Sequence, residues 1–203
     1  FAILNWKVLK ALINLSSHTG YYSAMKDYLQ PVLQTLALSL PILLSYKETQ
    51  RTSLIVGGVY FIVFLLTSFS ARHAGSFSSR FKNLVIPLNL TLIIGLSMGV
   101  LSGLMYLQNL LILSVIFYVG IYVLENLRKP IGIAYVTEKI DHHILATVLS
   151  AESQVHALIA AICAPLIGFI ADRYGLGYAI TGVSGLMIIL SPVYFVRRKK
   201  VPV

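Results

Sequence analysis

The chain alternates between long apolar runs and short islands of charged residues. Because a helix needs roughly 20 apolar residues to cross about 30 Å of hydrocarbon, the runs at 52–71, 84–105, 145–170 and 178–196 each predict a membrane span. A fifth run, 107–125, is apolar until its last residue, Glu125. The first segment, 8–28, is more polar, but its apolar residues recur at the three- and four-residue spacing of a helix. The pattern therefore predicts six spans.

The segment 29–46 does not fit this pattern, because it contains Pro31 and Pro41. Its longest uninterrupted piece, 32–40, is too short to cross a bilayer. We interpret it as an interfacial or re-entrant helix that joins the first two spans. A seventh span in this segment is the alternative.

Composition places the chain in the membrane. Hydrophobic residues make up 57% of it and charged residues only 11%, whereas soluble domains carry about 25% charged residues. The net charge of +9 does not indicate a nucleic-acid partner, because the basic residues lie in islands between apolar runs and not on one polar face. A water-soluble enzyme and a DNA-binding module are both excluded, and the lipid bilayer is the expected partner.

The positions of the basic residues favour one orientation. Cytoplasmic loops collect Lys and Arg, and with both ends in the cytoplasm the six-span topology puts twelve of the sixteen basic residues there, including the run at 197–200. A seventh span would lower that number to eleven. We therefore expect a multi-pass protein with both ends cytoplasmic, in a bacterial inner membrane.

Polar residues recur within the spans, where each one is a functional candidate because charge is costly in hydrocarbon. In the first span, the spacing of five of them puts them on one helical face: Asn14, Ser17, His18, Tyr21 and Tyr22. The fourth span carries Tyr118, Tyr122 and Glu125, and the fifth carries Glu152 and His156. A rise of 1.5 Å per residue puts His18, Tyr118 and His156 about 15–16 Å into the membrane, near its midplane.

Convergence of polar groups at one depth is typical of a transporter, whose substrate site lies midway across the bilayer. We expect the polar residues of these three spans, apart from Glu125, to line a cavity for a small organic solute. Glu152, His156 and Glu125 are the candidates for carrying a proton, since histidine titrates near neutral pH and burial helps a carboxyl group to keep its proton. Ordinary roles, such as interfacial tyrosines or a histidine bonded to a carbonyl, are the alternative.

Sequence motifs give little support to an enzyme. The stretch 182–185, Gly-Val-Ser-Gly, is similar to the nucleophile motif of intramembrane serine proteases, but those enzymes need a histidine in a later helix and none follows Gly185. His142 and His143 adjoin Asp141 without a wider frame of metal ligands. No phosphate-binding Gly-Lys-Ser/Thr loop is present. We predict no catalytic residue, no metal and no cofactor.

Three stretches carry a resemblance to a known family. They are Asn-Leu-Arg-Lys-Pro at 126–130, Ala-Thr-Val-Leu-Ser at 146–150, and the stretch 164–175 with Pro165, Gly168, Asp172, Arg173 and Gly175. In this order the chain resembles the carboxyl-terminal six-helix half of a major facilitator superfamily transporter. Two features depart from that family: Leu145 stands where an arginine is usual, and the loop at 72–82 lacks the acid of the gating motif.

The resemblance implies an all-α integral membrane protein, half of a twelve-helix fold. Such transporters hold the substrate between two six-helix halves and work by alternating access. The chain begins with Phe1 and not with Met, so we expect its partner to be an absent amino-terminal half or a second copy. The rival hypothesis is a six-helix membrane scaffold or assembly protein that transports nothing.

Overall fold

The computed structural model describes residues 6–140 and 142–196. Within them all regular structure is helical, with two short 3-10 helices at Lys26–Tyr28 and His142–Ile144. The α-helices are α1 (Trp6–Met25), α2 (Leu29–Ser39), α3 (Glu48–Ser78), α4 (Val85–Leu107), α5 (Leu111–Thr137), α6 (Leu145–Tyr174) and α7 (Leu176–Tyr194). The basic run at 197–200 and Asp141, both named above, lie outside the described residues.

Five of these helices, α3 to α7, are long and apolar enough to cross a membrane. This result confirms the prediction of an all-α, multi-pass integral membrane protein. The predicted first span is present as a helix of 20 residues, α1. It is not among the five, because the polar residues between Asn14 and Thr19 lower its hydropathy.

Apolar and polar side chains are distributed as a lipid environment requires. Large apolar residues point outward, including Phe64, Ile189 and Val193 at 68%, 75% and 73% exposure. A soluble monomer rarely exposes so much contiguous apolar surface. Polar residues are buried instead, and His18 and Arg128 have no exposed surface at all.

Several helices continue beyond the predicted spans, and α5 does so with the largest consequence. The predicted span stops at Glu125, but α5 runs on through Pro130 to Thr137. The predicted span ends before Arg128 and so puts this residue among the basic residues of the following loop, which is wrong, because Arg128 is a fully buried residue of the helix. Its buried polar partners, described below, compensate for the loss of water.

The segment after α1 contains the short helix that the sequence predicts. The chain stays helical from Trp6 to Ser39, apart from the 3-10 turn at Lys26–Tyr28. Pro31 lies in the first turn of α2, where a missing N–H costs little. Leu29, Val32 and Leu33 of α2 are fully buried, so this helix is part of the core formed with α3 and α5.

Glycines give α4 a flat face that neighbouring helices approach closely. A methyl carbon would lie 2.2 Å from His18 Nε2 at Gly95, 2.0 Å from Tyr21 Oη at Gly99, and 2.2 Å from Thr181 Oγ1 at Gly103. Real methyl contacts are much longer, so these positions have no room for a side chain. The glycine stripe therefore lets α1 and α7 pack closely against α4.

Candidate functional site

A buried histidine–carboxylate pair joins α1 to α5. Nδ1 of His18 lies 2.7 Å from Oε2 of Glu125, and Thr19 Oγ1 donates a hydrogen bond of 2.8 Å to Oε1 of the same carboxylate. His18 and Glu125 are 0% and 3% exposed. Both carboxylate oxygens therefore have a donor on α1, which is what a charged group needs when it is removed from water.

The second ring nitrogen of His18 faces α4. Nε2 has no hydrogen-bond partner among the described residues, and it lies against Gly95. In a neutral imidazole one nitrogen donates and the other accepts. With Nδ1–H directed at Glu125, Nε2 is the position that would take a proton and turn the pair into an imidazolium and a carboxylate.

Arg128 extends the network by one helical turn along α5. Its Nη2 donates to both the backbone carbonyl of Asn14, at 2.9 Å, and the side-chain oxygen of the same residue. Asn14 Nδ2 in turn donates to the carbonyl of Tyr194, at 2.9 Å, and to Asn89 Oδ1, at 3.3 Å. Polar contacts thus connect α1, α4, α5 and α7 around one buried cation.

The carboxylate of Glu125 attracts the guanidinium of Arg128, which lies three residues further along the same helix. Nε and Nη1 of Arg128 have no partner within the described part of the chain. An arginine keeps its charge in proteins, so with a neutral His18 the network holds one cation and one anion. Protonation of His18 would give it a net charge of +1.

Two tyrosines of α5 contact the break between α1 and α2. Tyr118 Oη donates to the carbonyl of Met25 at 2.6 Å, and Tyr122 Oη donates to the carbonyl of Lys26 at 2.5 Å. A 3-10 turn has poorer internal hydrogen bonds than an α-helix. The two hydroxyls therefore stabilise backbone carbonyls where the helix is irregular, a contact that the sequence does not reveal.

Glu152 and His156 belong to α6, and they lie against a different side of α1 from the side that carries His18. Ser16 Oγ donates to the backbone carbonyl of Glu152 at 3.1 Å and approaches its Oε1 at 3.5 Å. His156 Nδ1 is 3.6 Å from that Oε1, too far for a hydrogen bond, and the His156 side chain is 25% exposed. Ser16 and His18 are about 200° apart around a helix, so these residues form a second polar site between α1 and α6.

The remaining predicted residues make contacts near the pair. Ser17 Oγ donates to the carbonyl of Ile13 in its own helix, at 2.6 Å. The hydroxyl of Tyr21 lies 2.7 Å from Ser184 Oγ, which donates to the carbonyl of Ile180. The rings of Tyr22 and Tyr122 meet edge to face with centroids 5.1 Å apart. The predicted residues are thus divided between two faces of α1.

Sequence reasoning missed Thr19, Asn89 and Arg128. A usable signal was present, because Glu125 and Arg128 are three residues apart and share a helical face. Apolar residues also continue at helical spacing to Val136, beyond the predicted end of the span. Reading the span to that point would have placed Arg128 inside the helix.

Comparisons with known proteins give no family for this chain: no family model, no curated protein and no solved structure matches it. Among the described residues no group of three or more His, Cys, Asp or Glu side chains is placed to hold a metal ion. The fold and the site define a multi-pass, all-α membrane protein with ionisable groups buried between its helices.

The close contact between Gly95 and His18 gives a direct test of this geometry. We expect Gly95→Ala to lower the stability by about 1–3 kcal/mol, because the added methyl overpacks the site and displaces the imidazole from Glu125. Thermal unfolding in detergent measures the change. Gly182→Ala is the matched control, since a methyl there meets nothing within 4 Å; equal stability of the two variants would contradict the placement of His18.

Proposed function

We propose that the chain is the six-helix half of a secondary active transporter, of the major facilitator type, that moves a small organic solute by alternating access. One observation carries the proposal: an ionisable network of His18, Glu125 and Arg128 is buried between helices of membrane length. Ionisable side chains at membrane depth are rare and mark ion pathways and proton relays.

The broken first helix gives further support. Counted together, α1, the 3-10 turn and α2 run over residues 6–39, about 50 Å at 1.5 Å per residue. This length is enough for the sixth crossing that the transporter fold requires. Discontinuous membrane helices are a recurring feature of transporter sites, and here the break at Lys26–Tyr28 follows the His18–Glu125 pair by about two helical turns.

Proton coupling is assigned first to Glu125. Its carboxylate is bonded to a histidine with no exposed surface, so a change of protonation there alters the contact between α1 and α5. Glu152 and His156 are second candidates, because their side chains do not form a hydrogen bond to each other and His156 is partly exposed. Tyr22 and Tyr122 are proposed to belong to the aromatic part of the cavity wall, whereas Tyr118 is fully buried and supports the Met25 carbonyl behind it.

The test uses proteoliposomes that contain the complete polypeptide encoded by the gene and a trapped pH-sensitive dye. A panel of amines, sugars, carboxylates and amino acids is added outside, and proton movement is recorded for each. We expect at least one class of solute to drive a proton flux. That flux should be lost in Glu125→Gln and retained in Glu138→Gln, which changes an exposed carboxylate at the far end of α5.

Two results would overturn this proposal. Absence of both proton flux and radiolabelled uptake for every member of the panel would reject transport. Unchanged flux in Glu125→Gln would reject the role of that carboxylate, and the same measurement on Glu152→Gln then decides whether the second site carries the proton.

A second candidate function is a membrane scaffold, favoured by the surface of α6. That helix exposes small and polar residues within its apolar length, namely Ser153, Gln154, Ala157 and Ala161. Small residues allow close approach of another helix, so this face is suited to a partner, either an amino-terminal half or a second copy. Cross-linking from a cysteine at Ala157 would identify the partner, and an unrelated membrane protein there would favour the scaffold.

A further inference from the structure

Three tyrosines from three helices lie close to the break between α1 and α2. Tyr22 of α1 and Tyr122 of α5 meet edge to face at 5.1 Å, and Tyr60 of α3 packs against the same core cluster, which contains Tyr122. Tyr22 and Tyr60 are partly exposed, whereas Tyr122 is 7% exposed. We refer to Tyr22, Tyr60 and Tyr122 as the tyrosine wall.

A carboxylate lies beside these rings. Tyr122 Oη donates to the carbonyl of Lys26 at 2.5 Å, and Asp27 is the next residue, exposed at the break between α1 and α2. The face of an aromatic ring is itself electronegative, so the rings and Asp27 favour the same sign of charge in a bound group.

We propose that the tyrosine wall binds an organic ammonium cation, with Asp27 as its counter-ion. This inference rests on the proposed function and names the substrate class of the same site. Ammonium groups are attracted to aromatic faces, and quaternary ammonium ligands are recognised by clusters of such rings. An anionic solute would meet the repulsion of Asp27.

Lys26 adjoins Asp27 and carries the opposite charge. The Lys26 ammonium can pair with Asp27 and so competes with a bound ligand for that carboxylate. Its side chain is flexible and can move away from the wall. Replacing Lys26 by Gln removes the competitor, so this variant should bind an ammonium ligand more tightly than the unchanged chain. Asp27→Asn should have the opposite effect.

The test measures binding of choline by calorimetry to the full chain in phosphatidylglycerol nanodiscs. The control ligand is 3,3-dimethylbutan-1-ol, which has the shape of choline without its charge. We expect choline to bind and the alcohol to bind at least about fivefold more weakly. Asp27→Asn and Tyr60→Leu should each weaken choline binding about two- to fivefold, and Glu138→Gln should leave it unchanged.

A lipid headgroup and a free solute can present the same ammonium chemistry. Anionic phosphatidylglycerol also attracts choline to the bilayer surface, so the lipids are compared by the ratio of the choline affinities of the unchanged chain and Asp27→Asn. A ratio that falls in phosphatidylcholine nanodiscs, where the headgroup competes for the wall, assigns the site to lipid, and an equal ratio assigns it to a free cation. Equal affinity for choline and the alcohol, or full affinity in Asp27→Asn, would overturn the proposal.

Binding is measured without transport, which separates the two proposals. Choline binding by a chain that shows no solute-driven flux would reject the transporter and keep the ammonium site. Flux driven by another class of solute, with no choline binding, would reject the ammonium site and keep the transporter.

Discussion

Glu125→Ala should lower the free energy of unfolding by about 3–5 kcal/mol, the range found when one partner of a buried charged pair is removed. The change takes the carboxylate away from His18 and Thr19, which are bonded to it at 2.7 and 2.8 Å. It also leaves the buried Arg128 without its nearby negative charge. Reversible unfolding in mixed detergent micelles measures the loss.

Two controls separate the loss of the pair from the loss of a side chain. Glu125→Gln keeps an oxygen that can accept from Thr19 and keeps the volume, so it should be less destabilising than Glu125→Ala. Glu138→Ala removes an exposed carboxylate from the same helix and should change stability by less than about 0.5 kcal/mol. Equal effects of Glu125→Ala and Glu138→Ala would contradict a buried pair.

The His18–Glu125 pair also joins two helices, α1 and α5, that each carry part of the candidate site. Thr19 and His18 hold the carboxylate from α1, and three residues further along α5 the Arg128 side chain holds Asn14. One proton on His18 changes the charge of a network that links α1 to α5. In the proposed transporter, this change of charge is what would shift α1 against α5 during alternating access.

The sequence predicts the helices well because lipid imposes one simple rule on them. Every backbone group must be bonded internally in hydrocarbon, so a long apolar run has to be a helix. Helix ends are harder to predict, and Arg128 shows why. A charge usually marks the end of a span, but this guanidinium is buried and bonded to Asn14, and that partner is 114 residues away in the chain.

Contacts between residues far apart in the chain also limit what can be predicted of the candidate site. Helical spacing correctly predicts that Asn14, Ser17 and His18 share one face, and all three are buried. It does not determine which helix each side chain meets, because that depends on how the bundle packs. His18 pairs with Glu125, whereas Glu152 meets Ser16 on another side of α1.

Arg128→Met should lower the free energy of unfolding by about 3–5 kcal/mol, a loss comparable to that of Glu125→Ala. Methionine is close in length and suits an apolar interior, but it cannot donate to the two oxygens of Asn14, and it leaves Glu125 without the guanidinium. Lys129→Met is the matched control, since Lys129 is the next residue and is exposed. Unfolding of the purified variants measures both changes.

The double variant Glu125→Gln with Arg128→Met decides whether the two charges act as a unit. Removing both leaves no uncompensated charge, so the double variant should lose less stability than the sum of the two single losses, by about 0.5–3 kcal/mol. Additive losses would show that Arg128 is held by Asn14 alone. In that case the proposed proton-carrying site would consist of His18, Thr19 and Glu125, with Arg128 serving only to fix α5 against α1.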